Sequence, residues 1–500
     1  MLAAAYPVVF LFAVNAAEQL TLDPLWPALA IAVGAAAAVL VVLGIVLQDW
    51  FRAGLITTAL IIGFFGYGHA WNAAAAQLDT QWPFIVAWAI AIGILCLAAW
   101  RAKRWEVSIT RFLNVAVGLL LLINVFSLGS TLAARAVESE PTGDLTSLEL
   151  DPGAGELPDV YYIIPDRYAN LETLADVYGY DNEPFLQELE ARGFSVARNA
   201  HANYPRTGLS LASSQTMDYL PVDQLAEEAD DPGDWKPIYR MLSGRLPVPA
   251  ALKELGYSYI HLGNWWTPTQ KNVDADREIV FSGQSEFTSA LLQTTLVRAF
   301  TDPNAAPDDP WDWQNMWTGN LWSLDRLDEI PSLPGPKYVF AHLTTTHPPY
   351  VHNEDGSFTG REQVAELGNT ESYRHQLVYA NRRLLQAIDR IIASDPDAVI
   401  VLASDEGPFP DRYNNNNRLG WLQATDAELR QKLGILLAIR APGADLEAAG
   451  FHDDMTLVNA WRVVFNARFG TDLPILPDRV YVYDLVAELY EMHDITGRLR

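Results

Sequence analysis

The pattern of apolar and polar positions divides this 500-residue chain near residue 135. Before that point, apolar residues run almost unbroken at about 2–17, 25–47, 53–71, 83–100 and 110–132. A helix that crosses a bilayer needs about 20 apolar residues, with a range near 17–25. The last four runs meet that length. The first is marginal, and because it lacks a positively charged start it reads as a retained helix rather than a cleaved signal. The expectation is therefore a bundle of about five transmembrane helices over 1–132. Residues 136–157, VESEPTGDLTSLELDPGAGELP, are polar and rich in Gly and Pro. They read as a linker, placed at 133–157 with the end of the last run, and a soluble domain follows over 158–500.

In the second half the period changes. VYYII (160–164), YSYIHL (257–262), YVFAHL (338–343), VIVLAS (399–404) and GILLAI (434–439) are short, nearly continuous apolar runs. Such runs predict strands covered on both faces. Between them lie amphipathic stretches, among them EPFLQELEARG (183–193) and YRHQLVYANRRLLQAIDRIIAS (373–394). Alternation of strands and helices predicts an α/β domain with a mostly parallel sheet.

Charge sharpens the division. Residues 1–135 hold six of the 34 Lys and Arg and five of the 61 Asp and Glu. The remaining 28 basic and 56 acidic residues give 136–500 a formal charge of −28. A domain this acidic is a poor partner for nucleic acid, which needs clustered Lys and Arg. Arg101, Lys103, Arg104 and Arg111 crowd the fourth connection and Arg52 lies in the second, whereas the first and third have neither Lys nor Arg. The positive-inside rule then makes the second and fourth connections cytoplasmic, puts the N-terminus inside and sends the large domain outside. The single cysteine, Cys96, lies within an apolar run, which excludes a thiol nucleophile or a cysteine zinc site in the soluble half.

The chemistry gathers where strands end. VYYII leads to Pro165 and Asp166, YVFAHL to TTTHPPY with His347, and VIVLAS to Asp405 and Glu406. Ligands of open α/β sheets bind outside the carboxyl ends of the strands. Three acids brought together there repel one another by about 4 kcal/mol per pair at 4 Å and an effective dielectric near 20. A divalent cation removes that cost, and oxygen ligands favour Mg²⁺, Mn²⁺ or Ca²⁺. Read one at a time, each acid also has plainer employment, as a helix cap or as the partner of Arg167 or Arg412. In HANYPRTGLSLASSQTMDYL (201–220) the hydroxyls of Thr207, Ser210, Ser213 and Ser214 precede or open a helical pattern. All four are candidate nucleophiles, while the plainer reading of Thr207 is an N-cap. His342, five residues before His347, falls on the opposite face if the strand continues, and reads as structural.

The order of these motifs resembles the alkaline phosphatase/sulfatase superfamily. More narrowly it resembles its membrane-anchored enzymes, of the lipoteichoic acid synthase and phosphoethanolamine transferase type. The resemblance rests on PDVYYIIPDRYA (158–169), NYPRTGLSLASS (203–214), FAHLTTTHPPY (340–350), VLASDEGP (401–408) and VNAWRVVFNARFGTDLPILPD (458–478). It implies an alkaline phosphatase-like α/β/α domain outside the membrane, acting as a metal-dependent phosphotransferase or phosphodiesterase. The substrate it implies is a lipid-linked or cell-envelope phosphate. It places an acidic metal ligand on Asp166, the nucleophilic, metal-touching threonine on Thr207, a substrate-binding histidine on His347 and a late acidic ligand on Asp405. The usual next residue is His, and here it is Glu406; a carboxylate ligand there favours Mn²⁺ or Mg²⁺, with Zn²⁺ also compatible. Arg167 stands where relatives often have Gly, near enough to hold a phosphate or to pair with an acid. The Cys/Ser-x-Pro-x-Arg motif of formylglycine sulfatases is missing around 203–214. The Glu406 departure also supports a competing expectation, a catalytically degenerate member that binds envelope polymers or scaffolds other proteins.

Overall fold

The computed structural model describes residues 1–15, 22, 24–74, 81–137, 148, 150–151, 157–244, 246–281, 286–300, 313–414, 416 and 418–499. The chain divides into two compact units. One comprises Met1–Glu138 with Ser282–Asp312, the other Ser139–Phe281 with Trp313–Arg500. Most of the expected linker lies outside the described residues.

The first unit is helical: α1 (Leu2–Val14), α2 (Leu25–Leu47), α3 (Trp50–Ala74), α4 (Trp82–Arg101) and α5 (Glu106–Val137). Among the described residues, α2 to α5 are long and apolar enough to cross a membrane. The first apolar run forms only a 13-residue helix. At 1.5 Å per residue α1 is about 20 Å long, short of a hydrocarbon core about 30 Å thick, so the expectation of about five spans becomes four helices of spanning length. A stretch from the second half of the sequence joins this unit. The helix at Glu286–Thr294 buries Phe287 and Leu291 among Val8, Phe12, Leu25 and Leu128. Phe287 meets Phe12 edge-on at 5.0 Å, and Arg298 donates to the Asn72 side-chain oxygen at 2.7 Å.

The second unit is built on a seven-stranded sheet: β1 (Val160–Pro165), β2 (Ser195–Ala197), β3 (Ser258–Gly263), β4 (Arg277–Val280), β5 (Lys337–Leu343), β6 (Val399–Ala403) and β7 (Leu437–Arg440). Its order is β2-β7-β6-β1-β5-β3-β4. β4, β3, β5, β1 and β6 are parallel, whereas β7 runs against β6 and β2 against β7. β1 sits centrally, with Ile164 opposite His342 of β5 and Ile163 opposite Leu402 of β6.

Strand alternation explains the apolar runs. Tyr161 and Ile163, with Val339, Ala341, Ile400 and Leu402, face one core; Val160, Tyr162 and Ile164, with Tyr338, Phe340, Val399 and Val401, face the other. Of the helices that bear on the site, α6 (Glu183–Ala191) and α8 (Asn369–Ser394) bury residues in the first core. α7 (Thr207–Thr216) and α9 (Asp426–Leu433) bury residues in the second. With both faces covered, the polar side chains that follow the carboxyl ends of β1, β5 and β6 are forced to the sheet edge.

Candidate active site

Backbone contacts first hold the three strand ends together. Asp166 N–H donates to Leu343 O at 2.9 Å, binding the end of β1 to that of β5. Tyr168 N–H donates to Ser404 Oγ at 2.9 Å, binding it to the end of β6. Arg167 between them adopts φ = 60°, a left-handed conformation that costs a non-glycine residue about 1–2 kcal/mol. The turn directs its guanidinium back across the strand ends, where Nε lies 3.1 Å from Glu406 Oε1. After β6, Gly407 runs so close to α9 that a Cβ would lie 2.2 Å from Gln431 O; only glycine fits.

Among the described residues, Asp166, His342 and Asp405 form a group whose ligand atoms lie within 4.8 Å of one another, all three side chains buried. Asp166 Oδ1, Asp405 Oδ2 and His342 Nε2 are buried without a hydrogen-bond partner. Three orphaned lone-pair atoms converging in one buried place are what a divalent cation would satisfy, and nitrogen with two carboxylates suits Zn²⁺ or Mn²⁺. The electrostatics agree. Burial, then Asp166 and Glu406, push the Asp405 carboxyl up to about 7. Burial also opposes ionisation of Asp166, but His347, His342 and Arg167 outweigh it and hold that carboxyl below its ordinary range.

His342 reaches this group because β5 stops at Leu343 and a 3₁₀ turn, Thr344–Thr346, follows. The alternation that separates His342 from His347 in an unbroken strand does not carry through that turn. Glu406 stands outside the group. Its Oε1 lies 2.8 Å from Lys432 Nζ and 3.1 Å from Arg167 Nε, and Lys432 on α9 also donates to Gly407 O at 3.0 Å. The group that the structure assembles thus includes His342 and leaves Glu406 beside it, with Glu406 Oε2 also buried without a hydrogen-bond partner.

The four hydroxyls of 207–214 separate cleanly. Ser210 donates to Tyr204 O at 2.9 Å, Ser213 to Asp218 O at 2.6 Å and Ser214 to Leu211 O at 3.2 Å, all three buried. Thr207 is the first residue of α7, and the N-cap is Arg206, which makes no side-chain cap bond. The Thr207 hydroxyl is therefore not spent on capping; it hydrogen-bonds the Asp405 carboxylate. It opens onto a cavity of about 260 Å³ that Asp166, Arg167, Arg206, His347, Glu406 and Trp266 help to line. First-turn N–H groups have no partner inside a helix and carry its positive dipole end, so this mouth suits an anion.

Arg206, Lys432, Trp266 and Tyr239 are site residues that sequence reasoning missed. The Phe409 ring has Lys432 Nζ at 3.5 Å, the Arg167 guanidinium at 4.5 Å and that of Arg206 at 4.8 Å from its centroid. One aromatic ring thus groups three cations beside the cavity. Tyr239 and Trp266 form a perpendicular corner, centroids 5.8 Å apart, on the cavity's wall. Burial and then Arg167 push the His347 imidazole down to about 3, so it is neutral near pH 7. Its Nδ1 is hydrogen-bonded to the Pro348 carbonyl, which fixes the ring.

No protein-family model and no curated protein matches the chain. Among solved structures, the chain is similar to the C-terminal periplasmic domain of EcEptC from Escherichia coli. That match has 15% identity, covers 69% of this chain and 94% of that one, and has a TM-score of 0.44. It is also similar to the integral membrane lipooligosaccharide phosphoethanolamine transferase A from Neisseria meningitidis, at 12% identity over 77% of this chain and 69% of that one, TM-score 0.40. A third is a protein in the alkaline phosphatase superfamily from Vibrio parahaemolyticus, at 12% identity over 70% and 79%, TM-score 0.40.

Proposed function

We propose that the chain is a multi-pass membrane enzyme whose C-terminal, extracytoplasmic domain transfers or hydrolyses a phosphoryl group of a lipid-linked or cell-envelope phosphodiester. The observation that carries this reading is the meeting of an uncapped Thr207 hydroxyl with the three orphaned ligand atoms of Asp166, His342 and Asp405. Those three residues, with Thr207, would hold a divalent cation. When bound it supplies Lewis acidity, lowering the pKa of the hydroxyl and offsetting charge on the phosphate.

The protein's own groups do the rest. Arg167 and Arg206 receive the phosphate oxygens at the cavity wall, and the first-turn amides of α7 add donors to the same anion. Thr207 Oγ1 attacks phosphorus while its proton passes to the Asp405 carboxylate that it hydrogen-bonds. The Oγ1–P bond forms and the bond to the leaving alcohol breaks, that alcohol taking up the proton held by Asp405. Because the substrate is a diester, the product is a Thr207 phosphodiester that keeps the second ester group. Water or an acceptor alcohol then takes the phosphoryl group. His347, neutral and with its proton on Nδ1 donated to Pro348 O, presents Nε2 as an acceptor for a substrate or acceptor hydroxyl. In this scheme Glu406 is a positioning residue, binding Lys432 and Arg167 in place.

The test uses the purified full-length protein in detergent, loaded with Zn²⁺ or Mn²⁺ and given a phospholipid in mixed micelles. A Thr207 peptide carrying the phosphate with its remaining ester group, seen by mass spectrometry when no acceptor is supplied and absent in Thr207→Ala, is the expected result. Turnover in Thr207→Ala equal to wild type removes the nucleophile assignment. A metal-loaded wild type with no turnover and no phosphopeptide favours a binding or scaffolding protein instead.

A further inference from the structure

The loop after β3 makes a tight return over the strand. A Cβ on Gly263 would lie 1.9 Å from Gln270 O, so the loop closes only with glycine there. The return brings Asn264 and Thr269, both buried, against the far side of the His342 ring. His342 Nδ1 lies 2.8 Å from Thr269 Oγ1 and 2.8 Å from Asn264 Nδ2. The amide is held in one sense: Asn264 Oδ1 accepts from Trp266 N–H at 2.9 Å and faces Thr269 Oγ1 at 3.2 Å, while Nδ2 also donates to His342 O at 3.1 Å. Asn264 therefore turns only donors toward the ring.

The other nitrogen, Nε2, faces Asp166 Oδ2 at 3.5 Å, too long for a good hydrogen bond. If Nε2 binds a metal it carries no proton, and a neutral imidazole then bears its proton on Nδ1. That N–H needs an acceptor in a buried place. The Asn264 NH₂ cannot accept it, and when that proton is present its N–H must turn wholly to His342 O, which it already reaches at 3.1 Å. Thr269 Oγ1 can, because a hydroxyl accepts and donates at once, and its own proton has Asn264 Oδ1 to go to. Thr269 is itself anchored. Its carbonyl oxygen accepts from His261 Nε2 at 2.9 Å, and His261 Nδ1 is held by the Tyr259 hydroxyl at 3.0 Å.

We propose that Thr269 is the positioning residue that makes His342 a metal ligand, its hydroxyl accepting the Nδ1 proton that ligation through Nε2 requires. The inference rests on the metal-dependent reading above. Groups that orient a ligating histidine typically account for 10–100-fold in metal affinity.

Full-length protein in detergent is stripped with a chelator and titrated with Zn²⁺ by calorimetry. Thr269→Val, close in shape but without a hydroxyl, is expected to bind about 10–100-fold more weakly than wild type, and Thr269→Ser to recover wild-type affinity. Thr269→Ala, which relieves any crowding by the valine, should weaken binding as Thr269→Val does. Melting curves identify any variant that has not folded. Zn²⁺ affinity in both Thr269→Val and Thr269→Ala within about threefold of wild type overturns this inference and leaves the enzymatic reading intact. No Zn²⁺ or Mn²⁺ binding by folded wild type overturns both.

Discussion

Replacing Lys432 with Met isolates the Glu406 pair. Lys432 Nζ and Glu406 Oε1 are 2.8 Å apart, with side chains 0% and 1% exposed. Burial drives the lysine down to about 7, and the attraction of Glu406 works against that fall. Lys432→Met removes the cation, both from Glu406 and from the Phe409 ring, while nearly keeping the volume, so the loss reports charge rather than volume. Breaking a buried pair by deleting one partner costs about 3–5 kcal/mol, because the remaining charge is stranded. Here Arg167, 3.1 Å from the same oxygen, shares the carboxylate, so the lower end, about 3 kcal/mol, is expected. Thermal unfolding of the full-length protein in detergent should show Tm falling by about 4 °C, since a unit of this size unfolds with an entropy of about 0.7 kcal/mol/K. The double variant Lys432→Met/Glu406→Leu should regain most of that loss, since two well-packed apolar residues often equal a buried ion pair. A double variant no more stable than Lys432→Met refutes the argument: the stranded carboxylate is then not the source of the loss.

Other outcomes follow from the same geometry. Glu406→Gln should bind Zn²⁺ within a few-fold of wild type while Asp405→Asn loses it, as read by metal content after dialysis; equal loss in both would return Glu406 to the ligand set. Arg206→Gln should raise KM about tenfold or more, since one charge-assisted phosphate bond contributes about 1.5–3 kcal/mol; an unchanged KM places the phosphate elsewhere. The Asp405 contribution to the stability of the stripped protein should grow as pH falls, read as the difference in melting between wild type and Asp405→Asn. The difference is needed because buried His347, His201, His261 and His352, held neutral in the fold, pull the whole-protein trend the other way. Asp405 in the fold holds its proton to about 7 against about 3.9 unfolded, so its contribution is full below pH 4 and is lost as pH rises through 7. Melting from pH 7 to pH 5 tests this, and the metal-loaded protein should lack the trend.

Much of the catalytic edge was legible in the sequence because each strand announces itself and then breaks character. VYYII, YVFAHL and VIVLAS are apolar on both faces, and Asp166 and Asp405 come where that pattern fails. Other residues were not legible, each for a physical reason. His342 was misplaced because strand parity holds only while the strand lasts, and a 3₁₀ turn begins two residues later. Lys432 lies 26 residues from Glu406 on a separate helix, and nothing in KLGILLAI marks its lysine as buried rather than solvated. Arg206 precedes a helix whose N-cap the sequence assigned to Thr207. Thr269 and Asn264 depend on a loop return that Gly263 allows but does not announce.

The passage of the chain from one unit to the other and back has a practical and a historical consequence. Because Glu286–Thr294 buries Phe287 and Leu291 among the membrane helices, no single cut separates an intact catalytic half. A fragment beginning after the linker would carry two large apolar side chains stripped of their neighbours, a surface prone to self-association. A stable excised domain needs 282–312 replaced by a short bridge. For the same reason, a bare catalytic domain joined end to end to a membrane anchor would not make this protein: the insertion and the bundle it packs on had to be acquired to fit each other.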